Sequence, residues 1–159
     1  MCYYVVSILI LSILYFNNGD IMICTFFGHR NTPNEIKAKL NETLIYLIEK
    51  KNVDLFYVGN NGNFDNLVLQ TLNLLKHIYP HIQINIVLSY YPNKKVQFYN
   101  NTIYPEGLEL SPPKFAISKR NHWMLDKADY VVTYVRTTFG GAYKFKELAV
   151  KKGKFIIDL

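Results

Sequence analysis

Short apolar runs alternate five times with longer helical patterns between residues 22 and 159. After the first run, Met22 to Phe27, apolar residues recur at three- and four-residue spacing up to Lys51, which is the period of a helix that buries one face. Consecutive parallel strands need a crossover connection between them, and a helix of this length supplies one. We therefore expect an α/β fold, in which a mainly parallel five-stranded sheet is covered by helices on both faces as a three-layer sandwich.

The same two patterns place the other elements. Further strands are expected at 54–58, 82–88, 130–135 and 154–158, and further helices from about 64 to 79, at 114–128 and directly after Gly141. The first helix has a full set of start signals, with Thr32 as the N-cap, Pro33 at the first helical position and Glu35 three residues after the cap. We predict that these residues form a capping box.

Size and charge limit the number of domains and the kind of partner. The chain has 159 residues, of which 50% are apolar, and this is enough for one core but not for two, so we expect a single domain at 22–159. The formal net charge of +6 favours anionic partners. Because the basic residues are scattered, the charge fits a phosphate ligand, nucleic acid or a membrane surface about equally.

Cysteine and histidine usage predicts neither a metal site nor a disulfide framework. Cys2 and Cys24 form no Cys-x-x-Cys motif, which favours a reducing cytoplasm as the location. His77 and His81 are four residues apart, but Pro80 interrupts the helix that would align them on one face. We expect no metal and no cofactor.

Residues 1–21 form an apolar N-terminal extension ahead of the expected domain. The run from Tyr3 to Phe16 is shorter than the roughly 20 residues that a membrane-spanning helix needs. No basic residue precedes this run and no small-residue cleavage signal follows it, so it differs from a secretory signal. Three interpretations remain: translation starts at Met22, the extension anchors the chain to a membrane, or it packs as an additional helix. A membrane is an expected partner only in the second case.

The segment 89–113 carries no sustained period and is expected to be a long loop. Its prolines and glycine break any regular element, at Pro92, Pro105, Gly107, Pro112 and Pro113. Loops of this length are often binding lids or disordered segments. The segment also carries aromatic side chains that favour a lid, namely Tyr90, Tyr91, Phe98, Tyr99 and Tyr104.

Three glycine-containing loops are expected to meet at one edge of the sheet. They are Gly28-His29-Arg30, Gly59 to Asn63 and Thr137 to Gly141. Ligands of parallel sheets bind at the carboxyl ends of the strands, where the winding order reverses. The third loop places Gly140 directly before a helix, whose first N–H groups and partial positive charge suit a phosphate. Each of these loops is also compatible with an ordinary turn.

Two side chains on the later helices are candidates for chemistry. Arg120 lies at four-residue spacing from Ala116 and Met124, so it faces the apolar side of its helix. In a functional role, its guanidinium would reach a ligand phosphate or a catalytic carboxylate. In a structural role, it would lie along the edge of the core with its head in water or pair with a structural carboxylate. Glu147 lies roughly two turns into the last helix, where it is either solvated among lysines or close to a ligand's sugar.

Three further polar residues have both a ligand-binding and a plain structural interpretation. His29 and Arg30 follow the first strand, where they either contact a ligand or form a satisfied loop histidine and a surface pair. Asp65 lies near the start of the second helix and is most simply a favourable charge in the first turn.

Four segments together carry a resemblance to a known family. Cys24-Thr25-Phe26-Phe27-Gly28 ends the first strand in glycine, and Tyr57-Val58-Gly59-Asn60-Asn61-Gly62 forms a glycine-rich loop after the second. Arg120-Asn121-His122-Trp123-Met124 has the form Arg-x-x-x-Met, and Gly140-Gly141-Ala142-Tyr143-Lys144-Phe145-Lys146-Glu147 is similar to Gly-Gly-x-Gly-Thr-x-x-Glu. With these motifs, residues 22–159 resemble the SLOG superfamily, which groups DNA-processing proteins of the DprA/Smf type with the "lonely guy" (LOG) nucleotide phosphoribohydrolases in a Rossmann-like fold.

The resemblance implies roles for individual residues. The glycine pair would bind phosphate, and Arg120 and Glu147 would be the pair that acts on the N-glycosidic bond in LOG enzymes. Tyr143 and Lys144 stand where the motif has Gly-Thr, and this change removes a hydroxyl that those enzymes use to seat the 5′-phosphate. The expected ligand-binding residues are Gly28, His29, Arg30, Gly59, Asn60, Gly62, Arg120, Asn121, Thr138, Gly140, Gly141, Tyr143 and Lys144.

The closer likeness is to small stand-alone SLOG proteins, for which the implied role is to sense or carry a nucleotide or nucleotide-derived ligand in the cytoplasm. One alternative is a LOG-like phosphoribohydrolase that cleaves the N-glycosidic bond of nucleoside 5′-monophosphates. Another is DprA-like binding of single-stranded DNA through basic and aromatic surface. A homodimer is compatible with each of these roles.

Overall fold

The computed structural model of the chain describes residues 20–91 and 101–159. In this part of the chain, strands are formed by Met22–Gly28 (β1), Val53–Val58 (β2), Gln83–Val87 (β3), Thr102–Ile103 (β4), Tyr130–Tyr134 (β5) and Phe155–Asp158 (β6). The α-helices are Lys37–Lys51 (α1), Asn63–Ile78 (α2), Pro113–Lys127 (α3) and Gly140–Lys151 (α4). Short 3₁₀ helices are formed by Asn34–Ile36 and Leu108–Leu110.

All neighbouring strands are parallel, in the order β4-β3-β2-β1-β5-β6. This confirms the expected α/β architecture with a parallel sheet, but the described part of the chain contributes six strands to that sheet and the prediction of five was wrong. The additional strand, β4, pairs Thr102 with Ile86 and Ile103 with Val87 inside the segment that we expected to be an irregular loop. Two residues are too few to show an alternating pattern in the sequence. β4 is recognisable only from its pairing with the backbone of β3.

The winding order reverses at β1. The chain proceeds outward from β1 to β4 and then returns to place β5 on the other side of β1. Thr25 therefore pairs with Tyr57 of β2 on one side and with Val131 of β5 on the other. The loops that leave β1 and β5 run to opposite faces of the sheet, and this opens a crevice at their carboxyl ends.

Alternate residues of β1 face two separate cores, as expected for a strand that is covered on both sides. Cys24 and Phe26 belong to the core on the side of α1 and α2. Phe27 points the other way and stacks on Phe145 of α4, with ring centroids 5.0 Å apart. Met124 of α3 lies in this second core. The result is the three-layer arrangement that the alternating pattern predicted.

The start of the first helix differs from the prediction. The Thr32 hydroxyl donates to the His29 carbonyl at 2.6 Å and makes no capping hydrogen bond to the helix that follows. Pro33 and Glu35 belong to the entry and first turn of the 3₁₀ helix, and the α-helix begins only at Lys37 without a side-chain cap. The capping box is therefore wrong.

The predicted N-terminal extension lies outside the described residues up to position 19, as do Phe98 and Tyr99 of the predicted lid. Within the ranges 20–91 and 101–159, no helix has the length and apolar character required to cross a membrane.

Candidate functional site

A cavity of about 360 Å³ opens at the carboxyl edge of the sheet, beside the point where the winding reverses. The last residue of β1, Gly28, lines its wall together with His29 and Arg30 of the loop that follows. The opposite wall comes from α3 and from the first residues of α4. Ligand cavities of α/β proteins occur at this position because loops of different strands converge there.

Arg120 of α3 forms the buried polar centre of this cavity. Its side chain is 2% exposed, and its neighbours at four-residue spacing, Ala116 and Met124, are buried as well. The guanidinium donates from Nη1 to the Val87 carbonyl at 2.8 Å and from Nη2 to Asn61 Oδ1 at 3.1 Å. Arg120 thus links α3 to the end of β3 and to the loop after β2.

Two more amides complete the hydrogen bonding of Arg120. Its Nε donates to Asn121 Oδ1 at 2.8 Å, and its Nη1 makes a longer contact of 3.4 Å with Asn60 Oδ1. The buried Ser89 hydroxyl donates to the same Asn61 oxygen that accepts from Arg120, at 3.1 Å. All the acceptors of Arg120 in the described residues are neutral, so its charge needs a counter-ion elsewhere in the cavity.

Asp65 supplies that counter-charge. It is 8% exposed, lines the cavity and accepts the Asn61 backbone N–H at 2.8 Å through Oδ2. Burial raises the pKa of Asp65, while the Asn61 N–H and the positive charge of Arg120 act in the opposite direction. Burial likewise lowers the pKa of Arg120, and the Asp65 carboxylate opposes this shift. The two side chains therefore favour each other's ionised form.

Gly59 packs against the charged ends of Asp65 and Arg120. A Cβ at this position would lie 2.5 Å from Asp65 Oδ2 and 2.7 Å from Arg120 Nη1, both closer than a carbon atom can approach. Glycine at the start of the loop after β2 is therefore required by the two charged side chains of the protein itself.

The N-terminus of α4 faces the other end of the cavity. Gly140 begins the helix with φ of +88°, a left-handed conformation that favours glycine, and Gly141 and Ala142 line the cavity. The N–H groups of a helix's first turn have no partner within the helix, and they point along its axis with a partial positive charge. This end of the cavity is thus suited to an anion.

A second cavity of about 380 Å³ shares His29 and Arg30 with the first. His29 Nε2 accepts the Arg136 backbone N–H at 2.8 Å. The Arg136 guanidinium lies over the Tyr134 ring, 4.4 Å from its centroid, and donates to the Leu159 carbonyl at 2.7 Å. His29 is thereby held in a loop between two basic side chains.

The structure brings together about half of the residues that we expected at the site. Six of the expected ligand-binding residues line the first cavity: Gly28, His29, Arg30, Arg120, Asn121 and Gly141. Asn60 and Gly59 lie behind the cavity wall against Arg120, and Gly62 lies beside Arg30. Gly140 begins α4 next to the wall.

Four expected residues of the last loop and helix lie outside the wall of this cavity. Thr138 and Lys144 are exposed, and Tyr143 is half-buried. Glu147, the expected catalytic carboxylate, is exposed on α4, whereas Arg120 is buried on α3. The two members of the pair that the resemblance implied thus differ in burial, and the buried carboxylate whose charge acts on Arg120 is Asp65.

The sequence prediction missed Asp65 and Asn61 as cavity residues. A signal for Asp65 was present, because it precedes the buried Val68 and Leu72 by three and seven residues and so lies on the apolar face of α2. No comparable signal marks Asn61, whose position depends on the loop conformation. In the described residues, no group of three or more His, Cys, Asp or Glu side chains could hold a metal ion.

Comparisons with known proteins agree with this architecture. No protein-family model matches the chain, and no curated protein matches it by sequence. Among solved structures, the crystal structure of DNA processing protein A (DprA) from Streptococcus pneumoniae superposes with a TM-score of 0.62 at 16% sequence identity. The superposition covers 87% of this chain and 50% of DprA, so the chain spans about half the length of that protein. The chain has a DprA-like fold, as its resemblance to the SLOG superfamily predicted.

Proposed function

We propose that this protein binds a nucleotide or a nucleotide-derived ligand in the cavity at the carboxyl ends of β1 and β5. The observation that carries the proposal is the convergence of Arg30 and the N-terminus of α4 on one cavity at the point where the winding reverses. Either feature alone is common in proteins. Their combination in a cavity of about 360 Å³ favours an anionic small molecule.

We expect the phosphate to bind at the α4 end of this cavity. Gly141 and Ala142 offer backbone N–H groups there, and Arg30 is an exposed cation that lines the same cavity. A guanidinium adds charge-assisted hydrogen bonds to those of the backbone, and its planar fork fits phosphate oxygens. The resemblance to SLOG proteins independently implies that the glycine pair binds phosphate.

The remaining wall suits the uncharged part of a nucleotide. Ile117 and Met124 present apolar side chains from α3, and Phe27 contributes from the end of β1. Asn121 lies beside them as a polar group that can select the orientation of a base or a sugar. Apolar walls with a few polar groups are typical of small-molecule sites.

Equilibrium titration with nucleoside mono- and diphosphates and with ADP-ribose tests this function. We expect saturable binding by the full chain, and Arg30→Ala should weaken it about tenfold through loss of a charge-assisted hydrogen bond. Lys50→Ala is the matched control, since it removes an exposed charge at the end of α1, where the chain enters β2 at the opposite edge of the sheet. Absence of saturable binding by the folded protein, with unchanged melting temperature, would overturn the proposal.

Binding of single-stranded nucleic acid is a second candidate, favoured by exposed aromatic side chains beside the basic loops. Phe139 is 73% exposed directly before α4, and Phe115 is 49% exposed on α3. Bases of a single strand stack on such rings, and its phosphates bind to basic side chains. An oligonucleotide included in the same titrations at two salt concentrations separates the candidates, because its affinity should fall steeply with salt.

A further inference from the structure

We propose that Asp65 binds sugar hydroxyls of the ligand, so that the cavity selects ribonucleotides over 2′-deoxyribonucleotides. This inference rests on the proposed function and specifies the class of nucleotide. Asp65 lies in the first turn of α2, and its carboxylate lines the wall of the first cavity. We therefore expect it to contact a bound ligand.

The geometry holds the Asp65 carboxylate in a fixed orientation. Asp65 Oδ2 accepts the Asn61 backbone N–H at 2.8 Å. The same oxygen packs against Gly59, which has no side chain that could displace it. A carboxylate has about four acceptor positions, so one backbone hydrogen bond leaves most of its capacity for a ligand. The side chain is 8% exposed and lines the cavity, which directs this capacity into the cavity.

The charge of Arg120 keeps Asp65 an acceptor. Arg120 is 2% exposed and donates to neutral oxygens of Val87, Asn60, Asn61 and Asn121. Without ionised Asp65 it would be a buried charge with no carboxylate partner among the residues that the structure describes. An ionised carboxylate accepts hydrogen bonds and donates none. Its natural partner in a nucleotide is therefore a hydroxyl group.

The negative charge of Asp65 determines the orientation of the ligand in the cavity. A phosphate beside Asp65 would meet a like charge in a site with little water, where the repulsion is only weakly screened. Arg30 and the N–H groups of Gly141 and Ala142 attract the phosphate to another part of the wall. The sugar then faces Asp65 and Arg120 while the phosphate faces α4.

Loss of one hydroxyl should be costly, because a buried carboxylate would be left without the donor that replaces its water. Sites built to hydrogen-bond a hydroxyl reject analogues that lack it, and we expect a preference of about tenfold or more here. The affinities of AMP and GMP and of their 2′-deoxy and 3′-deoxy forms, measured by calorimetry on the full chain, test this directly. This comparison uses the unaltered protein.

Asp65→Asn then identifies the residue responsible. It keeps an oxygen for the Asn61 N–H but replaces the other acceptor with an amide, so the preference for ribose should fall to within about threefold. Asp126→Asn, which makes the same change at an exposed ion pair with Lys152, should retain the wild-type preference. Melting curves confirm that both variants are folded.

The outcomes separate the inference from the function on which it rests. Equal binding of ribo- and deoxyribonucleotides by the wild type, or an undiminished preference in folded Asp65→Asn, would overturn the role of Asp65 and leave nucleotide binding intact. Failure of every nucleotide to bind would overturn both.

Discussion

Arg120 shows how one side chain organises this site. Its hydrogen bonds to Val87, Asn60, Asn61 and Asn121 join the end of β3, the loop after β2 and α3 around a single guanidinium. Lysine has a single nitrogen at the end of its side chain and cannot donate in all these directions. Arg120 therefore acts first as the residue that shapes the cavity, with Asp65 as its counter-charge.

The close approach of Asp65 and Arg120 to Gly59 gives a prediction for stability. Gly59→Ala should lower the free energy of unfolding by about 1–3 kcal/mol, because the new methyl group would lie within 2.7 Å of both side chains. Gly141→Ala is the matched control, since no heavy atom lies within 4 Å of its added Cβ. Urea unfolding measures both variants, and equal stability of the two would contradict this account.

Helical spacing was enough to predict that Arg120 faces inward, because Ala116 and Met124 mark the buried face of α3. It was not enough to predict what Arg120 contacts. The β2 loop and the end of β3 come from distant parts of the chain, and their positions depend on the whole sheet. Glu147 shows the same limit, since the motif match proposed a role for it but did not predict that it is exposed on α4.

Among the elements, α4 and β6 are joined by Asp158. Its carboxylate accepts from the buried Thr133 hydroxyl at 2.6 Å and from Lys146 at 2.7 Å. Burial alone would raise the pKa of Asp158, but these two hydrogen bonds and the charges of Lys146 and Arg136 lower it below its ordinary value. A carboxyl group with a lowered pKa stabilises the fold above its ordinary pKa and loses this contribution as the pH falls through its folded value.

Asp158→Asn should therefore be less stable than wild type by about 1 kcal/mol at pH 7, because the partly exposed ion pair with Lys146 is lost. The difference should begin to shrink at about pH 4, the ordinary pKa of an aspartate in the unfolded chain, and it should continue to shrink as the pH falls toward the lowered pKa of folded Asp158. Urea unfolding in steps from pH 7 to pH 3 measures this. A difference that stays constant over this range would show that the charge of Asp158 does not contribute.

Helices and strands long enough to show a regular apolar period were predictable from the sequence. The two-residue strand β4 and the start of the first helix were not. The four helices and the five longer strands were each located from apolar spacing, since each buries a face that the sequence must make apolar. β4 has two residues and depends on β3 for its hydrogen bonds. The capping box was wrong because a 3₁₀ helix follows Pro33 and the α-helix begins only at Lys37, a change of helix start that sequence spacing does not reveal.

For the whole molecule, the strand order explains why the site lies where it does. Placing β5 beside β1 after the excursion to β4 brings the loop with Arg30 and the N-terminus of α4 to the same edge of the sheet. The DprA-like fold supports this topology, although the chain covers only half of that protein. The alternating pattern predicted the architecture but not which loops would share a cavity.

A crystal structure of the full chain with AMP tests the proposed site most directly. We predict phosphate oxygens about 3 Å from the backbone nitrogens of Gly141 and Ala142, with the ribose hydroxyls toward Asp65. A nucleotide bound elsewhere on the surface, with the cavity between α3 and α4 left empty, would contradict the account.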